Sequence, residues 1–62
     1  MQKYFNLVEK VGLSEKSIEE AIENAVLSEN SVSWFEVVEI RGRLNQDKKI
    51  EYQVKVRIGT KE

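Results

Sequence analysis

The sequence predicts an α+β protein with the element order β-α-β-β, in which one helix packs on one face of a three-stranded antiparallel sheet. Three observations indicate this fold. Residues 50–58 alternate between apolar and polar side chains almost without exception, as a half-buried strand does. Apolar residues between positions 18 and 26 recur every three or four residues, which is typical of an amphipathic helix. The segment 31–42 is rich in β-branched and aromatic residues, which favour strands.

The first strand is predicted at residues 3–11, and Gly12 is expected to end it. Two serines compete for the start of the helix that follows. Ser14 is a good N-cap residue, whereas Ser17 forms a capping-box pattern with Glu20 one turn later. The residue pattern leaves both starts open.

The helix is expected to end in the turn-like cluster at residues 28–31. Its apolar stripe consists of Ile18, Ala21, Ile22, Ala25 and Val26. Residues 31–42 then form the second strand, residues 44–49 form a polar hairpin connection, and residues 50–58 form the third strand. Residues 59–62 are interpreted as a short polar tail. The last two strands are expected to pair as an antiparallel hairpin.

This helix has too few apolar residues to cover both faces of the sheet. Simple alternation along the second strand puts Phe35 and Val37 on one face, and Trp34, Val38 and Ile40 on the other. If the first pair packs under the helix, Trp34 projects from the open face. Burying a Trp removes about 150–250 Å² from water, worth roughly 4–6 kcal/mol as an upper estimate. We therefore expect a subunit contact or a ligand to cover it, although an ordinary core position for Trp34 is the alternative.

The amino-acid composition indicates how so small a chain is stabilised, and it also excludes several functions. The chain has 62 residues and contains neither Cys nor His, so disulfides and thiolate or imidazole metal ligands are excluded. Oligomerisation is the remaining way to stabilise so small a core. Ten basic and eleven acidic residues are interspersed, which predicts no nucleic-acid partner. The absence of a long apolar run or a signal peptide predicts no membrane partner and a cytoplasmic location.

Two segments, SWFEVVEIRGRL at 33–44 and EYQVKVRIG at 51–59, together resemble the dodecin family of small flavin-binding proteins. The preceding segment VGLSEKSIEEAIENAV, at 11–26, is similar to the strand, turn and helix of that family. The resemblance thus spans nearly the whole chain, and it implies a single dodecin-like domain over residues 1–62.

The resemblance also implies roles for particular residues. Trp34 matches the strand Trp that stacks on the flavin isoalloxazine ring, and Gln53 matches the Gln that hydrogen-bonds its pyrimidine edge. Arg43 occupies a hairpin position near the ligand, where a cation could meet the phosphate of flavin mononucleotide (FMN). A solvated hairpin Arg is the alternative for Arg43. Tyr52 belongs to the motif but lies on the core face of its strand.

The function implied by the resemblance is sequestration or storage of riboflavin or FMN in inter-subunit pockets of a homo-oligomer. In the family, a pair of flavins lies between two tryptophans at a two-fold axis of a dodecamer. The short LSENSVS segment at 27–33 and the polar ending leave a smaller assembly open. The alternative function is a structural or interaction oligomer that has lost flavin binding. An enzyme is not expected, because Cys and His, the usual nucleophile and base, are missing.

Overall fold

The computed structural model describes residues 5–61, and it contains three strands and one helix. Their bounds are β1 Phe5–Ser14, α1 Ile18–Val26, β2 Val32–Leu44 and β3 Ile50–Lys61. The predicted order β-α-β-β is therefore confirmed. Residues 3 and 4 of the predicted first strand and residue 62 of the predicted tail lie outside the described residues.

The sheet has the order β1-β3-β2, so the last strand of the chain is the central one. Both of its neighbours run antiparallel to it. Ile58 faces Val8 on one side and Phe35 on the other, and residues directly opposite each other in a sheet share a face. The register consequently assigns every paired residue either to the side covered by α1 or to the open face.

The start of α1 is capped by Ser17, whose hydroxyl oxygen accepts a hydrogen bond from the Glu20 backbone N–H at 2.9 Å. Ser14 is the last residue of β1 and not the N-cap. Its hydroxyl donates to a Glu20 carboxylate oxygen at 2.5 Å and accepts from the Lys16 backbone N–H at 2.9 Å. Ser17 therefore caps the helix, and Ser14 stabilises the turn that leads into it.

The core lies between α1 and β3 and is built from small and medium aliphatic side chains. Its fully buried members are Ala21, Ala25, Val54, Val56 and Ile58. The helix backbone lies very close to the sheet at Gly12, where an added Cβ would lie 1.9 Å from the Ala21 carbonyl oxygen. The expectation that Gly12 ends the first strand is wrong, because β1 continues through it to Ser14. Its missing side chain makes room for the helix backbone.

The predicted polar tail is also wrong, since β3 extends through Lys61. Gly59 and Thr60 are buried, and the Thr60 hydroxyl donates to the Asn6 carbonyl oxygen at 3.3 Å. Pairing with β1 on one side and β2 on the other supplies the hydrogen bonds that keep this polar segment in the sheet.

Phe35 and Val37 lie on the helix side of the sheet, as predicted, but α1 does not cover them. The helix rests mainly on β1 and β3. Phe35 is 45% exposed and Val37 is 37% exposed. The helix side of β2 is therefore a second bare apolar surface, which the sequence analysis did not anticipate.

The face predicted for Ile40 is wrong, because β2 contains a β-bulge at Val38. The pairing with β3 shifts register between Val37 and Glu39, and Ile40 then lies opposite the buried Val54. Because a bulge inserts one extra residue, the alternation reverses beyond it. Ile40 consequently lies on the helix side and does not share the open face with Trp34.

Candidate ligand-binding site

Trp34 lies on the open face of the sheet, opposite Gly59 of β3. The indole covers this glycine so closely that an added Cβ would lie 2.3 Å from Trp34 Cε2 and 2.4 Å from Nε1. Gly59 is thereby buried, while Trp34 keeps 39% of its surface exposed. A partly exposed aromatic ring that rests against a sheet is a stacking platform for a flat ligand.

Gln53 lies on the same open face, in the central strand, between Leu13 of β1 and Arg41 of β2. Its side chain is half-buried. Within residues 5–61 no hydrogen bond engages the Gln53 amide, so both its donor and its acceptor groups are available. It lines a cavity of about 170 Å³ together with Val11, Glu39, Arg41 and Lys55.

The two predicted contacts share a face but stand far apart. The strand partner of Trp34 is Gly59, six residues along β3 from Gln53. At about 3.3 Å per residue, this separation is roughly 20 Å. Within one protomer, the side chains of Trp34 and Gln53 therefore project from widely separated backbone positions on the same face.

A row of charges crosses the open face between these two positions. Arg57 of β3 lies 3.8 Å from a carboxylate oxygen of Glu9 on β1 and 3.6 Å from one of Glu36 on β2. The ammonium group of Lys55 lies 3.7 Å from the other Glu9 oxygen. Exposed pairs of this kind contribute about 0–1 kcal/mol each. Their effect is to make the middle of the face polar, with the indole at one end and the free amide at the other.

Arg43, the third predicted site residue, is already engaged within its own hairpin. Its Nε donates to Glu51 Oε1 at 2.7 Å, and its side chain is 62% exposed. The arginine in the cavity beside Gln53 is Arg41, and it has no ion pair with any residue in the described range 5–61. Sequence reasoning did not place Arg41 at this cavity, because simple alternation puts it on the helix side.

The described residues contain no cluster of three or more acidic side chains that could hold a metal ion. Across the same range, the one helix is too short and too polar to span a bilayer.

These features define a small α+β protein with a bare sheet face that is suited to stacking and hydrogen-bonding a planar ligand. A dodecin family model matches residues 5–61. The dodecin of Thermus thermophilus is 40% identical over 63 residues, which cover 95% of this chain and 91% of the Thermus protein. The chain belongs to the dodecin family.

Solved structures agree with this assignment. A crystal structure of a single-substitution mutant of the T. thermophilus dodecin has a TM-score of 0.86 at 37% identity, covering 98% of this chain and 96% of that one. The Streptomyces davaonensis dodecin has a TM-score of 0.85 at 29% identity, covering 100% and 97%. The fold described above is thus the dodecin fold over essentially its full length.

Proposed function

We propose that this protein binds a flavin, either riboflavin or FMN, between subunits of a homo-oligomer and sequesters it without catalysing a reaction. The observation that carries the proposal is the position of Trp34. Its indole lies on the bare face, backed by Gly59 and partly exposed, in a chain that belongs to the dodecin family.

Energetics favour a site built from more than one subunit. Stacking a base on an aromatic side chain contributes about 1–3 kcal/mol. Micromolar affinity requires about 8 kcal/mol. One partly exposed indole is therefore insufficient, and the remainder requires a second surface that excludes water and adds contacts.

The separation within one protomer supports the same conclusion. Since Trp34 and Gln53 are about 20 Å apart along the sheet, a ligand that contacts both takes the indole from one protomer and the amide from another. The Gln53 amide offers a donor and an acceptor, which match a ring carbonyl and a ring N–H at the pyrimidine edge. Two open faces packed against each other bring such a pair together and close the slot.

Arg41 is the better placed cation for the phosphate of FMN. It lies beside Gln53, on the open face, and is not held by a carboxylate within the described residues. Arg43 can serve the phosphate only by leaving Glu51. A guanidinium binds a phosphate through charge-assisted, often bidentate hydrogen bonds. We therefore assign the first contact with the phosphate to Arg41 and a secondary one to Arg43.

A fluorescence titration tests the proposal. Riboflavin and FMN are titrated with micromolar protein, and flavin emission is recorded together with the mass from light scattering. We expect quenched emission for both flavins and no quenching with Trp34→Ala. Leu27→Ala is a suitable control, because Leu27 is 79% exposed and lies beyond the end of α1. It is expected to quench like the parent.

Unchanged flavin emission at saturating protein, in a sample that is folded and oligomeric, would favour the alternative of a dodecin-fold oligomer without flavin. The mass also decides between a dodecamer and a smaller assembly. A cytoplasmic location is part of the proposal, and fractionation of cells that make the protein tests it.

A further inference from the structure

Two loops at the hairpin end of the sheet are joined by one side-chain hydrogen bond, which we name the clasp. In the clasp, the Asn45 amide nitrogen donates to Glu15 Oε2 at 2.6 Å, although the two residues lie 30 positions apart in the sequence. Glu15 follows the last residue of β1, and Asn45 follows the last residue of β2. Because β3 lies between these two strands, the clasp bridges the outer strands of the sheet at the same end.

The Asn45 side chain also builds the hairpin turn, so the clasp starts from a fixed side chain. Asn45 Oδ1 accepts hydrogen bonds from the backbone N–H groups of Asp47 and Lys49, both at 3.0 Å. The carbonyl oxygen of this amide therefore holds the turn, and its nitrogen is left to face Glu15. A hydrogen bond to a carboxylate is charge-assisted and stronger than one between neutral groups.

Little else fixes the hairpin end to the rest of the protomer. Leu44 is 65% exposed and Ile50 is 55% exposed, so apolar packing does not hold the last residue pair of the hairpin. The helix rests mainly on β1 and β3. Within residues 5–61, the clasp is the only hydrogen bond or ion pair that links the loop 45–49 to a residue outside the hairpin. A segment with so few contacts opens more readily than the core.

The clasp lies next to the polar end of the proposed flavin site. Leu13, Gln53 and Arg41 form one row across the open face of the three strands. Glu15 lies two residues beyond Leu13, which is about 7 Å along the chain, and Asn45 lies four residues beyond Arg41, about 13 Å. The clasp therefore closes the sheet just beyond the row that carries the free amide and the guanidinium.

We propose that Glu15 and Asn45 are positioning residues for FMN, because their clasp holds the end of β2 where Arg41 meets the phosphate while Gln53 meets the ring. The inference rests on the proposed function, since it assigns a role within the same site. Positioning and simple electrostatics predict opposite signs here. By charge alone, removing the Glu15 carboxylate strengthens the binding of an anionic phosphate. If the clasp positions Arg41, removing it weakens that binding.

Titrations of FMN and riboflavin with two Glu15 variants test the sign. Glu15→Ala removes the charge and the acceptor, and we expect it to weaken FMN binding about fivefold, the size of one hydrogen bond. Riboflavin binding should change by less than about twofold, because the affected Arg41 contact is the one to the phosphate. Glu15→Gln removes the charge but keeps a carbonyl acceptor for Asn45, and it should bind FMN at least as tightly as the parent.

Glu19→Ala is the matched control for the loss of one negative charge. Glu19 is exposed in the first turn of α1, and its side chain has no hydrogen bond or ion pair within the described residues. We expect this variant to bind both flavins like the parent. Unchanged or tighter FMN binding by Glu15→Ala would overturn the proposal, as would an equal loss for both flavins, which would indicate a general loss of structure.

Amide hydrogen exchange measures the clasp in the absence of flavin. We expect Glu15→Ala to speed exchange of the backbone amides in residues 42–50 about fivefold, and to leave the amides of Val54 and Val56 unchanged. Combining Glu15→Gln with Asn45→Asp reverses donor and acceptor and keeps an acceptor for the turn, so it should restore the parent rates. Unchanged exchange in Glu15→Ala contradicts the proposal. Faster exchange in a protein whose parent binds no flavin refutes the proposed function and leaves the hold of the clasp on the hairpin standing.

Discussion

Trp34 and Gly59 are direct partners across β2 and β3, and the indole occupies the space that any other side chain at position 59 would need. The two residues therefore act as one structural unit. The glycine lets the indole lie against the sheet, and the indole buries the glycine. The orientation of the proposed stacking surface depends on a residue that makes no contact with the ligand in the proposed site.

Replacing Gly59 with Ala is predicted to displace the indole. The added Cβ would lie within 2.6 Å of three ring atoms of Trp34, so the partly exposed ring must move outward. We expect at least a tenfold loss of flavin affinity and a loss of about 1–3 kcal/mol in the free energy of unfolding. Flavin fluorescence titration and urea denaturation measure the two effects. Gly42→Ala is the matched control, since its Cβ would come no closer than 3.9 Å to any neighbour.

Replacing Gly12 with Ala is predicted to damage the fold more severely. Its Cβ would lie 1.9 Å from the Ala21 carbonyl oxygen and 2.8 Å from the Ala25 backbone nitrogen. These are backbone atoms of α1, which cannot move independently of the helix, whereas the Trp34 ring beside Gly59 can change its rotamer. We expect a loss of about 3 kcal/mol or more in the free energy of unfolding, or no folded protein. A melting temperature within two degrees of the Gly42→Ala control would show that α1 sits further from β1 than described.

Arg41 and Arg43 are predicted to differ in how they affect FMN and riboflavin. Arg41→Ala should weaken FMN binding about tenfold at low salt, roughly 1.4 kcal/mol, and leave riboflavin binding unchanged, because riboflavin lacks the phosphate. Arg43→Ala should change FMN binding much less, since Glu51 already engages its guanidinium. Parallel titrations of both flavins with both variants check this. A larger FMN effect for Arg43→Ala would reverse the assignment.

Deleting Val38 is predicted to remove the bulge and leave the other pairs of β2 and β3 in register. Val37 and Glu39 then follow each other directly opposite Val56 and Lys55, so the side chains on either side keep their faces. We expect a folded protein whose free energy of unfolding falls by less than about 3 kcal/mol. Deleting Ile40 is the control, because it brings a charged side chain opposite the buried Val54 and should lose more than about 3 kcal/mol. Denaturant midpoints measure both, and equal losses would contradict a bulge at position 38.

Much of the fold could be read from periodicity. The alternation in β3 and the three- and four-residue spacing in α1 identified the right elements in the right order. Both strands of the hairpin were recognised, and the face of Trp34 was predicted correctly from simple alternation. Element ends were less well predicted: β1 runs through Gly12 and β3 runs through Gly59, because long-range pairing overrides the local preference of glycine for turns.

The sequence by itself determined the β-α-β-β order, the family and the presence of an indole that the single helix could not cover. These follow from local periodicity and residue type. The tertiary structure alone decided that Trp34 rests on Gly59, that Arg41 lies beside Gln53, and that the backbone positions of Trp34 and Gln53 lie about 20 Å apart along the sheet. The physical reason is that strand order, register and the bulge at Val38 are set by how three strands fit together beneath the helix, and no local pattern encodes that fit.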